Sequence, residues 1–240
     1  MILIYSVYKM HISIIVPIFN EGNIIKSNLK KIINFFEEKY KFEIILVNDG
    51  STDKTRNVLE SLKQKRIKIL HNLKNMGKGY SIKRGIEFST GDVILTTDAD
   101  LSASIEEFNK LILKFNSGYS FVIGSRSKAN AVINIKQNIL RISLGIVFNF
   151  LVKIILGLNY SDTQCGFKLY DSIKIKSIIN LCKVDRFCSD VEILYLAKLK
   201  NISVYEEGII WNDNKNSKVK ILNDPINMFF DLIKIKFRKY

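Results

Sequence analysis

Residues 96–102 read TTDADLS and follow directly on the apolar run Val93, Ile94 and Leu95. In an extended chain alternate side chains point the same way, so Asp98 and Asp100 are expected to project together beyond the end of a strand. Two carboxylates so placed call for a cation between them and a phosphate. The alternative is a solvated turn that merely ends the strand. Three other polar clusters bear on that choice. In PIFNE (17–21), Pro17 is expected to stop a strand and Asn20 to cap the following helix, leaving Glu21 over. In NDGSTDKT (48–55), Asp53 stands in N-cap position. Asp49 has no capping job and is a candidate acceptor for the donor groups of a base or ribose. In KNMGKGYSIKRG (74–85), Lys78 lies between two glycines at a helix start, where backbone N–H groups and an ammonium can meet a phosphate.

The elements that must hold these residues can be read from the apolar pattern. Strands are expected at 11–17, 42–48, 67–71, 92–97 and 120–124, with helices at 21–39, 53–65, 78–88 and 104–115. Continuous apolar strands alternating with helices imply an α/β fold, a mostly parallel sheet covered on both faces. Ligands bind beyond the carboxyl ends of such strands. PIFNE, NDGSTD and TTDADLS all fall at such ends.

The 240 residues suit one sizeable core, and 37 Lys and Arg against 23 Asp and Glu give a formal charge of +14. That excess suggests an anionic partner: a phosphorylated substrate, an anionic membrane face or nucleic acid. The aromatic residues sit in apolar strings and are not interleaved with the basic ones, which argues against nucleic acid. Three cysteines, Cys165, Cys182 and Cys188, with no Cys-x-x-Cys pair and no signal-peptide order near the start, imply a reducing, cytosolic setting.

From about residue 133 the pattern changes. A helix expected within 135–158 carries Gln137, Arg141, Gly145, Asn149 and Lys153 every fourth residue along one face, and its longest uncharged run is too short to span a bilayer. It is either a core helix or one lying in a membrane interface. The end of the chain, NMFFDLIKIKFRKY, mixes Phe and Ile with Lys and Arg, as suits an anionic membrane surface. The expected division is a domain over 1–210 and a basic amphipathic tail over 211–240, peripheral on the cytoplasmic face of a membrane.

Together VPIFNE, VNDGSTDKT, NMGKGYSIKRG, GDVILTTDADLS and GSR resemble the family 2 glycosyltransferases, inverting enzymes of the GT-A fold, over essentially the whole length. The strings DTQCGFKLY (162–170) and VDRFCSDVEILYLAK (184–198) look like the polyprenyl-phosphate subgroup, nearest to its dolichyl-phosphate β-glucosyltransferases. The resemblance implies a nucleotide-sugar donor, with UDP-glucose preferred, held by Pro17, Asn20, Glu21, Asp49, Lys78, Asp98 and Ala99. It implies Mg²⁺ or Mn²⁺ on Asp98 and Asp100, and a polyprenyl-phosphate acceptor met by Arg126, Arg141 and Gln164. Asp98, Asp100, Arg126 and Asp190 are the expected catalytic group. Ser102 departs from the related mannosyltransferases, which often carry Gln there as a further metal ligand.

The two histidines, His11 and His71, stand beside strands in structural positions, so a histidine base is not expected. A lipid phosphate does not need one, because its second pKa of about 6 leaves it largely ionised. The rival readings are a GDP-mannose-using mannosyltransferase, or a transferase to a sugar or protein hydroxyl with Asp190 as general base. A nucleotidyltransferase would want an early glycine-rich loop, which PIFNEGN lacks.

Overall fold

The computed structural model describes residues 10–135, 139–212 and 223–240. Its main sheet has seven strands: β1 (His11–Ile18), β2 (Lys41–Asn48), β3 (Ile67–His71), β4 (Val93–Thr96), β5 (Phe121–Ser125), β7 (Lys168–Asp171) and β8 (Val204–Gly208). They run in the order β3-β2-β1-β4-β7-β5-β8. All neighbours are parallel except β7, which lies antiparallel between β4 and β5. A second, two-stranded parallel ribbon pairs β6 (Val132–Ile135) with β9 (Ile210–Asn212).

Alternation along β1 explains why both faces are covered. Ile12, Ile14, Val16 and Ile18 point into a core shared with Ile25, Leu29, Ile32 and Phe36 of α1 (Ile25–Glu37) and with Phe108, Leu111 and Ile112 of α4 (Phe108–Asn116). Ile15 points the other way, towards Ile82 and Ile86 of α3 (Lys78–Phe88) and Ile175, Ile178 and Ile179 of α6 (Ser172–Ile179). Each fully buried Ile is worth roughly 1.5–3 kcal/mol, so a shift of register by one residue is strongly disfavoured. Between β2 and β3 lies the short helix α2 (Thr55–Glu60).

Local expectations fail where side chains choose partners across the chain. Pro17 does not end β1, which runs on to Ile18. In the alternating ladder Ile18 accepts from the Asp49 N–H on the β2 side, so the proline nitrogen faces the β4 side, past that strand's last paired residue. Asn20 does not cap α1. It sits in the left-handed region at φ 56°, accepts from Thr52 N–H at 2.8 Å and leaves the helix to start at Ile25.

The second half adds α5 (Ile139–Leu156), α7 (Ser189–Leu199) and α8 (Asn223–Phe237). Phe148, Val152 and Leu156 of α5, Val191 and Leu194 of α7, and Leu232 and Ile235 of α8 form a third core with Ile123 of β5. The stretch expected to form a tail therefore does not stand apart: Trp211 is in β9, and α8 shares a core with the domain. Its end is tied down by Arg238 and Tyr240, which donate to Glu192 Oε1 at 2.8 and 2.7 Å. The outer faces of α5 and α8 expose Ile142, Ile146, Phe150 and Ile154, and Ile226, Phe229, Phe230 and Phe237. No helix of the described residues is long and apolar enough to cross a membrane.

Candidate active site

Asp98 opens a turn rather than continuing a strand. The strand ends at Thr96, Leu101 N–H donates to Asp98 C=O, and Leu101 takes φ 51°. The shared direction expected from an extended chain is therefore not what places the two aspartates; the turn does. Asp100 Oδ1 accepts from Ser102 N–H at 3.0 Å, and Ser102 C=O accepts from Asn212 N–H of β9. Ala99 is buried, and its C=O accepts from Asn28 Nδ2 of α1 at 3.0 Å. The turn is thus held from both ends of the chain.

Across from it stands the start of α3. Gly77 at φ 112° lets the chain turn into the helix, and Lys78, its first residue, reaches Asp98 Oδ1 at 2.5 Å. Burial disfavours both charges. The pairing outweighs it, so the Lys78 ammonium is raised by Asp98 and Asp190, while Asp98 is lowered by Lys78, Lys168 and Arg126. Asp49 is buried at the end of β2 and organises the loop before Lys78: it accepts from Asn72 Nδ2, Met76 N–H and Gly77 N–H at 2.8, 2.9 and 2.9 Å. A carboxylate has about four lone-pair sites, so one acceptor position is left for the expected nucleoside contact. Asn20 and Ser51 close the neighbouring corner, with Asn20 N–H donating to Ser51 Oγ and Glu21 N–H to Thr55 Oγ1, both at 2.9 Å. Asp53 is not the N-cap, which is Lys54; one residue earlier, it accepts from Thr55 N–H at 2.9 Å and from Gly22 N–H at 3.3 Å, tying the helix start to the loop after β1. His71 is bound on both ring nitrogens, to Asn48 and Glu60, and has a structural place.

On the far side, Arg126 follows β5. It grips Asp162 with Nε and Nη2 at 2.6 and 2.9 Å and lies over the Trp211 ring at 5.1 Å. Asp162 is buried, which raises its pKa, but Arg126 and its hydrogen bonds bring it down to about 2. The guanidinium expected to meet phosphate thus has one edge on Asp162; a guanidinium has five N–H groups, and the opposite edge faces elsewhere. Gln164, expected at the acceptor, donates its side-chain amide to Phe187 C=O at 3.3 Å. Arg141 lies in α5, but its side chain falls outside what the structure describes, as does Gln137 altogether. Of the stripe they belong to, Asn149 joins the site: it donates to Ser161 C=O at 2.7 Å and accepts from Thr163 Oγ1 at 3.1 Å, either side of Asp162.

Reading the sequence missed the residue beneath all of these. Lys168, the first residue of β7 and opposite Thr96, is fully buried and donates to Asp190 Oδ1 and to Cys165 C=O, each at 2.5 Å. Gly166 lies against the Asp98 carboxylate, which a Cβ there would strike. Cys165 is buried, its thiol pushed up to about 12 by desolvation, as suits a packing residue. The site therefore holds three ion pairs, Lys78–Asp98, Arg126–Asp162 and Lys168–Asp190, with Asp100 beside them.

Among the described residues no three His, Cys, Asp or Glu side chains gather as a metal cage. Asp98 and Asp100 fit a different kind of site, since Mg²⁺ and ions like it are held by one or two carboxylates together with substrate phosphates and water.

A mostly parallel sheet with acidic turns at its strand ends, and a cationic helix start facing them, is the layout of the GT-A fold. The crystal structure of M. tuberculosis glucosyl-3-phosphoglycerate synthase superposes with a TM-score of 0.71 at 16% identity, covering 97% of this chain and 81% of that one. The same enzyme in complex with Mn²⁺ and uridine-diphosphate-glucose superposes equally well, at 0.71 and 15% identity over 97% and 80% of the two chains. Residues 13–178 match the profile of glycosyl transferase family 2, and the chain belongs to that family. The dolichyl-phosphate beta-glucosyltransferase of Dictyostelium discoideum is 35% identical over 96% of this chain and 75% of its own length. That of Saccharomyces cerevisiae is 32% identical over 95% and 75%.

Proposed function

We propose that the chain transfers glucose, with inversion, from UDP-glucose to a polyprenyl monophosphate of the dolichyl type. The observation that carries the reading is the charge arrangement. The described cations of the site, Lys78, Arg126 and Lys168, are each paired with a carboxylate, so a diphosphate leaving group calls for a further cation, and Asp98 with Asp100 is where one fits. When bound, a divalent ion there supplies Lewis-acid stabilisation to the departing diphosphate. Lys78, at the N-terminus of α3, meets the same phosphates with its ammonium and the helix dipole. Asp49, Asn20 and Glu21 hold the two loops that flank the nucleoside.

The acceptor phosphate arrives ionised. Its oxygen forms a bond to the anomeric carbon as the bond from that carbon to UDP breaks on the opposite face, and no proton has to be removed. Arg126, fixed in plane by Asp162, presents its other edge to this phosphate, and Arg141 on α5 meets it nearer the lipid. The lipid is supported by the exposed apolar faces of α5, which meets the site through Asn149 and the 161–163 segment, and of α8, which shares a core with α5. These faces dock on the membrane surface.

The experiment is transfer from labelled UDP-glucose to dolichyl phosphate with Mg²⁺ or Mn²⁺ supplied, followed by extraction of the lipid. Label in a lipid-linked phosphodiester is expected. Equal or better use of dolichol lacking the phosphate would replace this reading with a hydroxyl acceptor, and preference for GDP-mannose would change the donor.

A further inference from the structure

Lys168 has no part in the reaction outlined above, yet it is the most deeply buried cation of the site, with 1% of its side chain exposed. A buried ammonium is unfavourable unless its hydrogen bonds are met. Two are met here in opposite ways. Cys165 C=O belongs to the backbone of the segment beside Asp98, and Gly166 C=O in that segment accepts from Thr96 Oγ1 at 3.1 Å, so this partner is fixed. Asp190 is a buried side chain in the first turn of α7, held to Lys168 through Oδ1. An ammonium anchored on one side by sheet backbone therefore sets the position of the carboxylate on the other.

Asp190 in turn stands close to the reacting groups. The start of α7 packs against the start of α3, where a Cβ on Gly79 would meet Ser189 and where Tyr80 N–H donates to Asp185 C=O at 3.0 Å. Lys78 pairs with the Asp98 carboxylate at 2.5 Å, and the charge of Asp190, on the helix packed against its own, favours the ammonium further. A carboxylate that swung away from Lys168 would alter the balance that holds Lys78 between Asp98 and a donor phosphate.

We infer that Lys168 is a positioning residue: by holding Asp190 from below, it keeps that carboxylate in the one orientation in which it serves Lys78 and the transferred sugar. The inference rests on the functional reading above. Removing the pair altogether would leave a site that folds, since apolar replacements of buried ion pairs are often neutral for stability. What is lost is placement, and misplacement on the order of 1 Å lowers turnover by about a hundredfold.

The test is a double-mutant cycle of Lys168→Met and Asp190→Asn, with kcat, KM for UDP-glucose, UDP binding and a crystal structure for each variant. Lys168→Met is expected to lower kcat by about a hundredfold while UDP affinity stays within about threefold. In the Asp190→Asn background the same substitution should cost less than about threefold, because it acts through a group already changed. The crystal structure of the Lys168→Met single variant should show the Asp190 carboxylate turned from its parental position. Losses that multiply in the double variant, or an Asp190 that stays in place, would overturn the inference. If Lys168→Met fails to fold, the comparison of Asp190→Asn, in which the Lys168 ammonium keeps only Cys165 C=O as a partner, with the double variant, which leaves no buried charge, still decides it. If the parent transfers no glucose to polyprenyl phosphate, the functional reading falls, and the orientation of Asp190 in the structures still decides the role of Lys168.

Discussion

Replacing Arg126 by Met isolates the pair that fixes the acceptor side of the site. The side chain loses two charge-assisted hydrogen bonds, at 2.6 and 2.9 Å, and its stacking over Trp211, and it leaves Asp162, 2% exposed, without its counter-ion. Breaking a buried ion pair from one side costs about 3–5 kcal/mol. For a chain of this size that lowers Tm by roughly 6–20 °C, at 2–4 °C per kcal/mol. The loss must also depend on pH. Asp162 in the folded parent sits at about 2 against an ordinary 3.8, so the stabilisation it provides is complete above 3.8 and disappears as pH falls through 2. The span corresponds to about 2 kcal/mol. Urea unfolding of parent and variant at pH 7, 4 and 2.5 should therefore show a gap that is widest at pH 7 and narrows by about that amount at the acid end. A gap unchanged between pH 7 and 2.5, or a variant melting within 2 °C of the parent, would refute the assignment of Asp162 as the buried partner.

Asp100→Asn should keep the parental melting temperature and lower kcat by about 10²–10³-fold, and chelation by EDTA should abolish parental transfer, with activity returning on added Mn²⁺. Glu192→Ala should destabilise by about 3–5 kcal/mol in thermal melts, since its buried carboxylate serves Arg238, Tyr240 and the N–H groups of Lys183 and Val184. Flotation with anionic vesicles should recover the parent, and Phe150→Glu combined with Phe230→Glu should leave it in the soluble fraction with an unchanged circular dichroism spectrum.

How much of this was legible in the sequence depended on whether the cause was local. β3 and α3 fall where the apolar period puts them, because each carries its own alternation or its own Gly start. The three acidic strand ends were equally readable, and the sheet does bring them to one edge. The strand β7 was not readable as an antiparallel insertion, since KLYD gives no sign of which strands it will join. The Asp162 partner of Arg126 and the whole of the Lys168–Asp190 pair were missed for a related reason: the partners lie 36 and 22 residues apart, and only the fold brings them within hydrogen-bond reach. Asn20 and Pro17 were read by habitual roles, as cap and as breaker, which contacts to Ser51 and Thr52 and the free side of β1 overrode.

The central claim is that the bond formed joins glucose to a lipid phosphate, and mass spectrometry of the product tests it most directly. Purified protein, UDP-glucose, a divalent metal and dolichyl phosphate should yield a lipid heavier by one hexose, with the β configuration at the anomeric carbon and one UDP released for each. Free glucose and UDP alone, or glucose on a soluble phosphorylated acceptor with the lipid untouched, would contradict it.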